Sequence, residues 1–268
     1  MNALSSRAAH DAAWHRLHGA TTAPYQRAGR FAWHFARGKL GRDPVFRGLV
    51  ERGLIGPQHA RVVDIGSGQS LIASLLSVAA SMQVQGHWPA AWQPTPTRVD
   101  YTGIELMPKD VARAQASIGH LQPAPRILCA DMCTATLPAC DLVVILDVLH
   151  YVDLEAQEGV LRRVRDALAP GGRLLLRIGD ASDARGFAVS QWVDRTVTRI
   201  RGHRVSPTWG RPLQEWTALL ERFGFVVQSL PMSEGTPFAN VLLIADLEPA
   251  PTTMTPITTP ITALAPAP

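Results

Sequence analysis

The sequence predicts an α/β protein built on a doubly wound, mainly parallel sheet. Short apolar runs alternate with amphipathic stretches from Arg61 onwards, and the run Asp141–Asp147 (DLVVILD) contains five consecutive apolar residues. A strand shows such a continuous run when helices cover both faces of its sheet, which is typical of parallel sheets. In addition, the glycine-rich turn Asp64–Ser70 (DIGSGQS) directly follows the first run. Doubly wound folds bind their ligands at such turns.

The predicted elements follow in order along the chain. The first sixty residues are expected to form helices joined by glycine-containing turns, with Asp43 as an N-cap, Pro44 at the first helical position and Gly56-Pro57 at the end of the region. The predicted strands are 61–65, 99–105, 126–130, 141–147, 173–178, 225–230 and 240–246, and the predicted helices between them are 71–82, 108–119, 155–169 and 212–223.

Two segments interrupt this alternation. Residues 83–98 are rich in Pro and Trp and are predicted to be a surface insertion, and residues 183–211 are predicted to be a lid or substrate insertion. Residues 249–268 carry no charge and are rich in Pro, Thr and Ala, which is typical of a disordered tail. We therefore predict a helical cap over 1–58 and a main domain over 59–248, followed by that tail.

The composition excludes several classes of protein. The 268 residues are 46% hydrophobic and 18% charged, as in an ordinary globular chain. The three cysteines are too few for a disulfide framework, and their positions (129, 133 and 140) do not fit a zinc site. The first 18 residues lack the apolar core of a signal peptide, and no apolar run is long enough to span a membrane. These features predict a cytoplasmic protein without a bound metal.

The positive charge of the chain is concentrated in two segments. Residues 27–52 contain seven basic and two acidic residues, and residues 185–211 contain six basic and one acidic residue. These segments together carry +10, whereas the whole chain carries +4, so the remainder is acidic. Such segregation predicts contact with an anionic partner, or alternatively two helices whose arginines are simply solvated.

The glycine-rich turn is the strongest candidate for a binding site. Glycine lets a chain turn sharply and approach a ligand, and the N–H groups at the start of the next helix attract a carboxylate or a phosphate. A dinucleotide motif G-x-G-x-x-G that starts at Gly66 would need glycine at position 71, where the chain has Leu71. The turn therefore lacks the complete dinucleotide motif.

Carboxylates follow or end three successive predicted strands. Glu105 lies 39 residues after Gly66, or 23 when the insertion is left out, which is close to the usual spacing of about 20 for an acid that binds ribose hydroxyls. Asp64 lies at the end of the first predicted strand, and Asp131 follows the third. We expect these acids to line one edge of the sheet, where an adenosyl sulfonium is tolerated better than a phosphate-rich cofactor.

On these motifs the sequence resembles the class I S-adenosylmethionine-dependent methyltransferases. The resemblance extends over roughly 61–246 and rests on six segments in order: VVDIGSGQS, GIELMP, CADM, DLVVILDVLHYVD, ALAPGGRLLLRIGD and FGFVV…NVLLIADL. It implies a Rossmann-like, seven-stranded sheet of order 3-2-1-4-5-7-6 with an antiparallel last strand, an N-terminal helical cap and a helical insertion before the last helix. It also implies S-adenosylmethionine as the cofactor.

The resemblance also implies roles for individual residues. The glycine turn would hold the methionine part of the cofactor, with Asp64 supporting the turn. Glu105 would hold the ribose hydroxyls, and Leu106 or Met107 would lie against the adenine face. Asp131 would accept a hydrogen bond from the adenine amine, and Asp147 and its neighbours would form the wall near the methyl group. The implied cofactor-binding residues are Asp64, Gly66, Ser67, Gly68, Glu105, Leu106, Met107, Asp131, Met132 and Asp147. Ser70 departs from the family pattern, which usually has a third glycine there, and we expect its side chain to cap the following helix.

His150 is the candidate general base, because it follows the fourth strand where the methyl group would face an acceptor. Weaker candidates for that role are Tyr25, His34 and Glu234. An aromatic substrate pocket is predicted from Phe31, Trp33, Phe35, Phe187 and Trp192.

The predicted function is methyl transfer to a small-molecule or carrier-tethered acceptor, anionic or aromatic, with coenzyme A or an acyl carrier as possible handles. Ribose or ring-nitrogen methylation of RNA and a non-catalytic cofactor-binding scaffold are the alternatives. Exocyclic-amine and cytosine-C5 methylases are disfavoured because their motifs are missing around Asp147. The stretches 29–41 and 231–238 also loosely resemble bacterial methyltransferases of aryl-polyene pigment pathways. The acceptor atom and the oligomeric state are left open.

Overall fold

The structure is a computed structural model that describes residues 3–179, 209–232 and 240–248, with side chains from residue 8 onwards. Its strands are β1 (Arg61–Ile65), β2 (Asp100–Glu105), β3 (Arg126–Cys129), β4 (Cys140–Leu146), β5 (Leu168–Gly179), β6 (Phe225–Pro231) and β7 (Asn240–Leu247). They form one sheet in the order β3-β2-β1-β4-β5-β7-β6. β7 is antiparallel to both of its neighbours, and the other pairs are parallel. The predicted sheet order is therefore confirmed.

Seven α-helices lie within the described ranges. They are α1 (Ala3–Thr22), α2 (Arg30–Arg42), α3 (Pro44–Glu51), α4 (Leu71–Val84), α5 (Pro108–Ile118), α6 (Leu154–Ala167) and α7 (Leu213–Arg222), with short 3₁₀-helices at Ala23–Ala28 and Leu149–Tyr151. As predicted, Asp43 caps α3: it accepts a hydrogen bond from the Val45 N–H at 3.1 Å, and Pro44 follows.

The apolar run of β4 is explained by two cores, one on each face of the sheet. Leu142 and Val144 belong to the core that also contains side chains from α1 to α5. Val143 and Ile145 belong to the core formed with α6 and α7. Because successive side chains of a strand point to opposite faces, β4 must be apolar at every position to serve both cores.

Two local predictions need correction. The predicted helix 155–169 ends at Ala167, and β5 begins at Leu168, so the segment Pro170–Gly172 lies inside a strand with an irregular register against β4. The predicted surface insertion 83–98 is partly interior, because the Trp92 side chain is only 4% exposed. Its ring meets the Trp88 ring edge-on at a centroid distance of 5.1 Å.

Several predictions concern residues outside the described ranges. They are the lid segment up to residue 208, the tail 249–268, and the candidates Phe187, Trp192 and Glu234. The domain boundaries at residues 58 and 248 stay predictions. Among the described helices, none combines the length and the apolar character that crossing a membrane requires.

Candidate functional site

The turn between β1 and α4 has the sharp conformation that its glycines predict. Gly66 and Gly68 have φ angles of +71° and +55°, in the left-handed region that glycine occupies without strain. The N–H groups of Gly66 and Ser67 donate to the Ile104 carbonyl at 2.8 and 3.1 Å, which ties the turn to β2. A Cβ atom on Gly66 would lie 2.4 Å from Val148 Cγ1, so the turn also packs closely against the segment after β4.

Gly66→Ala is expected to lower the free energy of unfolding by about 2 kcal/mol, because it adds a left-handed alanine and a clash with Val148. Gly68→Ala is the control: it also has a positive φ, but its Cβ would meet nothing within 4 Å. Urea denaturation of both variants should therefore show the larger loss for Gly66→Ala, with partial recovery on adding Val148→Ala. Equal losses would contradict the close approach.

Glu105 at the end of β2 contacts the glycine turn directly. Its Oε2 accepts the Gly68 N–H at 2.7 Å, and its Oε1 accepts the Met107 N–H at 2.8 Å. The side chain is largely buried, at 9% exposure. Each carboxylate oxygen has two lone pairs and can accept more than one hydrogen bond.

The other predicted residues on this side lie at the ends of β2 and β3. These strands pair with Glu105 beside Cys129, so the segments that follow them start next to each other. The Leu106 side chain is 62% exposed. Asp131 is exposed, and its Oδ1 accepts the Cys133 N–H at 2.7 Å. Met132 is half-buried.

Asp64 does not line the edge of the sheet, contrary to the prediction from its position. Its carboxylate is buried beneath the glycine turn, where Oδ2 accepts a hydrogen bond from the Tyr101 hydroxyl at 2.6 Å. Burial, reinforced by the charge of Glu105, raises the pKa of Asp64 to about 7, although the hydrogen bond from Tyr101 works in the opposite direction. Asp64 therefore supports the turn from below, in keeping with the role that the resemblance implies for it.

Ser70 occupies the N-cap position of α4 but does not cap it, so that prediction is wrong. Its φ and ψ of 55° and 47° place it in the left-handed region, and its side chain makes no capping hydrogen bond. Its hydroxyl donates to the Ser67 hydroxyl at 3.3 Å. Gly103 in β2 leaves room for both serines, since a Cβ there would lie 2.8 Å from Ser67 Oγ.

Asp147, predicted as the wall near the methyl group, belongs to a network of four charged side chains. Arg177 in β5 donates to Asp147 through Nε, at 2.7 Å, and through Nη2. The same guanidinium donates to Asp43 at the start of α3, with Nη2 2.7 Å from Oδ2. Lys39 Nζ lies 2.7 Å from Asp43 and 3.7 Å from Asp147. Asp147 itself has a φ of +59°, which is rare for a residue other than glycine.

The electrostatics of this network favour the charged forms of Asp43, Asp147 and Arg177. Burial disfavours the charged forms, but the hydrogen bonds and the charge of Arg177 outweigh it and hold the pKa values of Asp43 and Asp147 below the usual range. The pKa of Arg177 is raised by the two carboxylates. The Arg177 side chain is 1% exposed. Neither Arg177 nor Lys39 was among the residues predicted for the site.

The predicted base His150 lies three residues after Asp147, in the 3₁₀-helix that follows β4. It is half-buried, and its ring lies 4.1 Å from the Tyr151 ring between centroids. Its carbonyl accepts the Trp209 N–H at 2.8 Å. Of the weaker candidates, His34 is exposed and packs beside Trp33. Tyr25 is fully buried, and burial raises its pKa well above the usual value.

The basic segments are only partly available to a partner. In the first segment, Lys39 belongs to the network with Asp147, and Arg47 pairs with both Asp11 and Glu51 at 2.6 Å. In the second, the described member Arg211 is 9% exposed. It donates to Gln157 and Glu158 and to the Leu154 carbonyl.

Neither the histidines, the cysteines nor the acids form a metal cluster within the described ranges. Cys140 is buried, and burial raises the pKa of its thiol to about 12. Cys129 is exposed, and Cys133 is half-buried.

Comparison with known families decides the class of this fold. Residues 32–230 match the family described as "Methyltransferase domain". The chain belongs to this methyltransferase family. The predicted class I S-adenosylmethionine-dependent methyltransferase is thereby confirmed, as is S-adenosylmethionine as the cofactor that such methyltransferases use. No curated protein matches the sequence.

Solved structures share the fold of this methyltransferase at low sequence identity. Magnesium protoporphyrin IX methyltransferase from Synechocystis PCC 6803, with bound SAH, is 18% identical at a TM-score of 0.53, over 82% of this chain and 88% of its own. An O-methyltransferase family protein from Burkholderia thailandensis is 17% identical at a TM-score of 0.58, over 84% of this chain and 63% of its own. The pyocyanin biosynthetic protein PhzM is 17% identical at a TM-score of 0.55, over 80% of this chain and 57% of its own. The present chain thus spans less than two thirds of the length of the last two proteins.

Proposed function

We propose that this methyltransferase transfers the methyl group of S-adenosylmethionine to a small-molecule acceptor that is anionic or aromatic, either free or tethered to a carrier. The observation that carries the proposal is the contact between Glu105 and the Gly68 N–H at 2.7 Å. This contact joins the acid predicted for the ribose to the turn predicted for the methionine part. We call the surface formed by Gly66–Gly68 and Glu105 the cofactor cradle.

The residues around this cradle suit the parts of the cofactor. The Gly66–Gly68 turn leaves space above Gly68, where a Cβ would meet nothing within 4 Å, and the N-terminus of α4 lies beside it. Ser67 and Gly68 would bind the methionine part, and Glu105 the ribose hydroxyls. The exposed Leu106 side chain offers an apolar surface to one face of the adenine.

The remaining predicted residues complete the cradle. The Asp131 carboxylate would accept the adenine amine, with Met107 and Met132 beside the ring. Asp64 would support the turn from beneath, and Asp147 would form the wall beside the methyl group. Its left-handed backbone fixes the direction in which the segment towards Val148 leaves the strand.

The chemistry requires little of the protein beyond positioning. When bound, S-adenosylmethionine supplies an electrophilic methyl group on a positively charged sulfur. The chain must hold the acceptor in line with that group and keep water out. A phenol or another acidic acceptor must also lose its proton, and His150 after β4 would accept it.

An aromatic acceptor is supported by the side chains of α2. The Phe31 and Phe35 rings are nearly parallel, with centroids 6.3 Å apart, and the Phe31 side chain is 55% exposed. The guanidinium of Arg113 lies 4.4 Å from the Phe31 ring centroid. An exposed ring beside a cation can bind a flat, electron-rich or anionic molecule. Magnesium protoporphyrin IX, named for one similar structure, is a flat aromatic acceptor of this kind.

The two alternatives receive less support. Two of the seven basic residues in the first segment, Lys39 and Arg47, are already paired with carboxylates, which leaves fewer cations for RNA. A scaffold without activity is disfavoured by the match of residues 32–230 to a methyltransferase family.

Calorimetric titration with S-adenosylmethionine and S-adenosylhomocysteine tests the proposal. We expect micromolar binding of both to the wild type and none of NAD. Glu105→Ala is expected to weaken both by at least about 30-fold, because the ribose loses hydrogen bonds to a charged acceptor. Glu155→Ala, an exposed acid on α6, is the control and should leave both affinities unchanged. Failure of the wild type to bind either compound would contradict the proposed function.

A further inference from the structure

Tyr25 joins the N-terminal helices to the glycine turn through a single buried hydrogen bond. It lies in the 3₁₀-helix between α1 and α2, and its side chain is 0% exposed. Its hydroxyl donates to the Gln69 carbonyl oxygen at 2.9 Å. Gln69 is itself only 1% exposed, so water does not readily replace this donor.

The Gln69 carbonyl lies at the most constrained part of the turn. The residues on either side, Gly68 and Ser70, both have φ angles of +55°. The Ser70 N–H turns back to the Ser67 carbonyl at 2.7 Å, while the Gly68 N–H donates to Glu105. The orientation of the Gln69 carbonyl is therefore coupled to the N–H groups that face the cofactor cradle.

We propose that Tyr25 is a positioning residue for the cofactor turn: its hydroxyl holds the Gln69 peptide so that the turn has its binding conformation before the cofactor arrives. The inference rests on the proposed function, because it concerns the same cradle. It gives the N-terminal helices a role in binding the cofactor, in addition to covering the acceptor. A ligand binds more weakly when only a fraction of the protein has the competent conformation, in proportion to that fraction.

Ser74 provides a matched control within the same interface. Its hydroxyl, on α4, donates to the Thr21 carbonyl at 2.8 Å and is buried like that of Tyr25. Both hydrogen bonds join a hydroxyl to a backbone carbonyl between the N-terminal helices and the turn–α4 region. The bond from Ser74 does not involve the turn itself. Tyr25→Phe and Ser74→Ala therefore each remove one such bond, but only the first should release the turn.

The first test is calorimetric titration of S-adenosylhomocysteine into the wild type and both variants. We expect Tyr25→Phe to raise the dissociation constant about fivefold, the effect of losing one hydrogen bond, and Ser74→Ala to change it less than about twofold. The melting temperatures of both variants should fall by similar amounts. An equal change of affinity in both variants, or none in Tyr25→Phe, would overturn the proposal.

Hydrogen exchange without cofactor separates this proposal from the proposed function. The amides of Ser67, Gly68 and Ser70 should exchange faster in Tyr25→Phe than in Ser74→Ala, because only the former loosens the turn. These exchange rates test the role of Tyr25 even if the wild type does not bind S-adenosylhomocysteine. Equal exchange at these amides in the two variants would refute the role of Tyr25 independently of the ligand.

Discussion

Replacing Arg177 by methionine is expected to lower the free energy of unfolding by about 3 kcal/mol at pH 7, the usual cost of removing one partner from a buried ionic network. The side chain is 1% exposed and binds Asp43 and Asp147 at the same time. Without it, Lys39, which is about one third exposed, is the one cation paired with these two carboxylates in the part of the chain that the structure describes. Denaturant titration of the variant measures the loss.

Arg173→Met is the matched control, because Arg173 lies in the same strand and also binds a carboxylate. Its partner Asp246 is 41% exposed, so water screens the pair. We expect this substitution to cost less than about 1 kcal/mol. Comparable losses in the two variants would show that the burial of Arg177 adds nothing to its effect.

The pH dependence of Arg177→Met identifies the cause of its instability. In the wild type the pKa values of Asp43 and Asp147 are depressed, so their contribution to stability is present at neutral pH and is lost only as the pH falls through those low values. In the variant the carboxylates take up protons more readily. The difference in unfolding free energy between wild type and variant should therefore become smaller when the pH is lowered from 7 to 5. Adding Asp43→Asn and Asp147→Asn to the variant should recover part of the lost stability at pH 7. A gap that is independent of pH would point to lost packing instead.

Local patterns in the sequence were sufficient for the framework of the cofactor site. The continuous apolar run of β4 predicted a strand buried on both faces, and Asp43-Pro44 predicted the start of α3. The spacing between Gly66 and Glu105 predicted a ribose acid near the turn, and the structure places Glu105 against Gly68. Each of these signals comes from residues close in sequence or from a spacing that the fold preserves.

The ionic network escaped prediction for a physical reason. Arg177 stands in the segment LLLRIG, where an arginine is a polar interruption of a strand. Its partner Asp43 lies 134 residues away in the sequence, and Lys39 belongs to the basic segment predicted to contact an anionic partner or solvent. No periodicity or motif links positions that only the folded chain brings together.

Tyr25 and Asp64 illustrate the same limit at the level of single side chains. The residue type of Tyr25 indicates a candidate base, and the place of Asp64 at the end of β1 indicates an edge carboxylate. Both side chains are buried in the structure: the Tyr25 hydroxyl donates to the Gln69 carbonyl, and the Asp64 carboxylate turns inward towards Tyr101. The N-terminal helices reach both loops of the cradle. Tyr25 binds the turn after β1, and Asp43 binds Arg177 of β5, which also binds Asp147 after β4.

The buried Asp64 makes a second strong prediction, with the opposite dependence on pH. Its pKa is about 7 in the folded protein but about 3.9 in the unfolded chain. Between these values the unfolded chain has released the proton and the folded protein still holds it. The contribution of Asp64 to stability is therefore complete below about pH 4, falls as the pH rises, and is lost above about pH 7.

Asp64→Asn removes this titration and keeps the shape of the side chain. Relative to the wild type, the variant should gain about 2 to 3 kcal/mol of unfolding free energy when the pH is raised from 5 to 8, the equivalent of about two pH units of linked proton release. Denaturant titrations of both proteins at the two pH values measure the change. Asp141→Asn is the control: the pKa of Asp141, which binds Arg61, is lowered, so its titration lies entirely below this window. If Asp64→Asn shows no more gain than this control, the carboxylate is already ionised at pH 5, and the turn rests on a charged support throughout the range in which the cofactor binds.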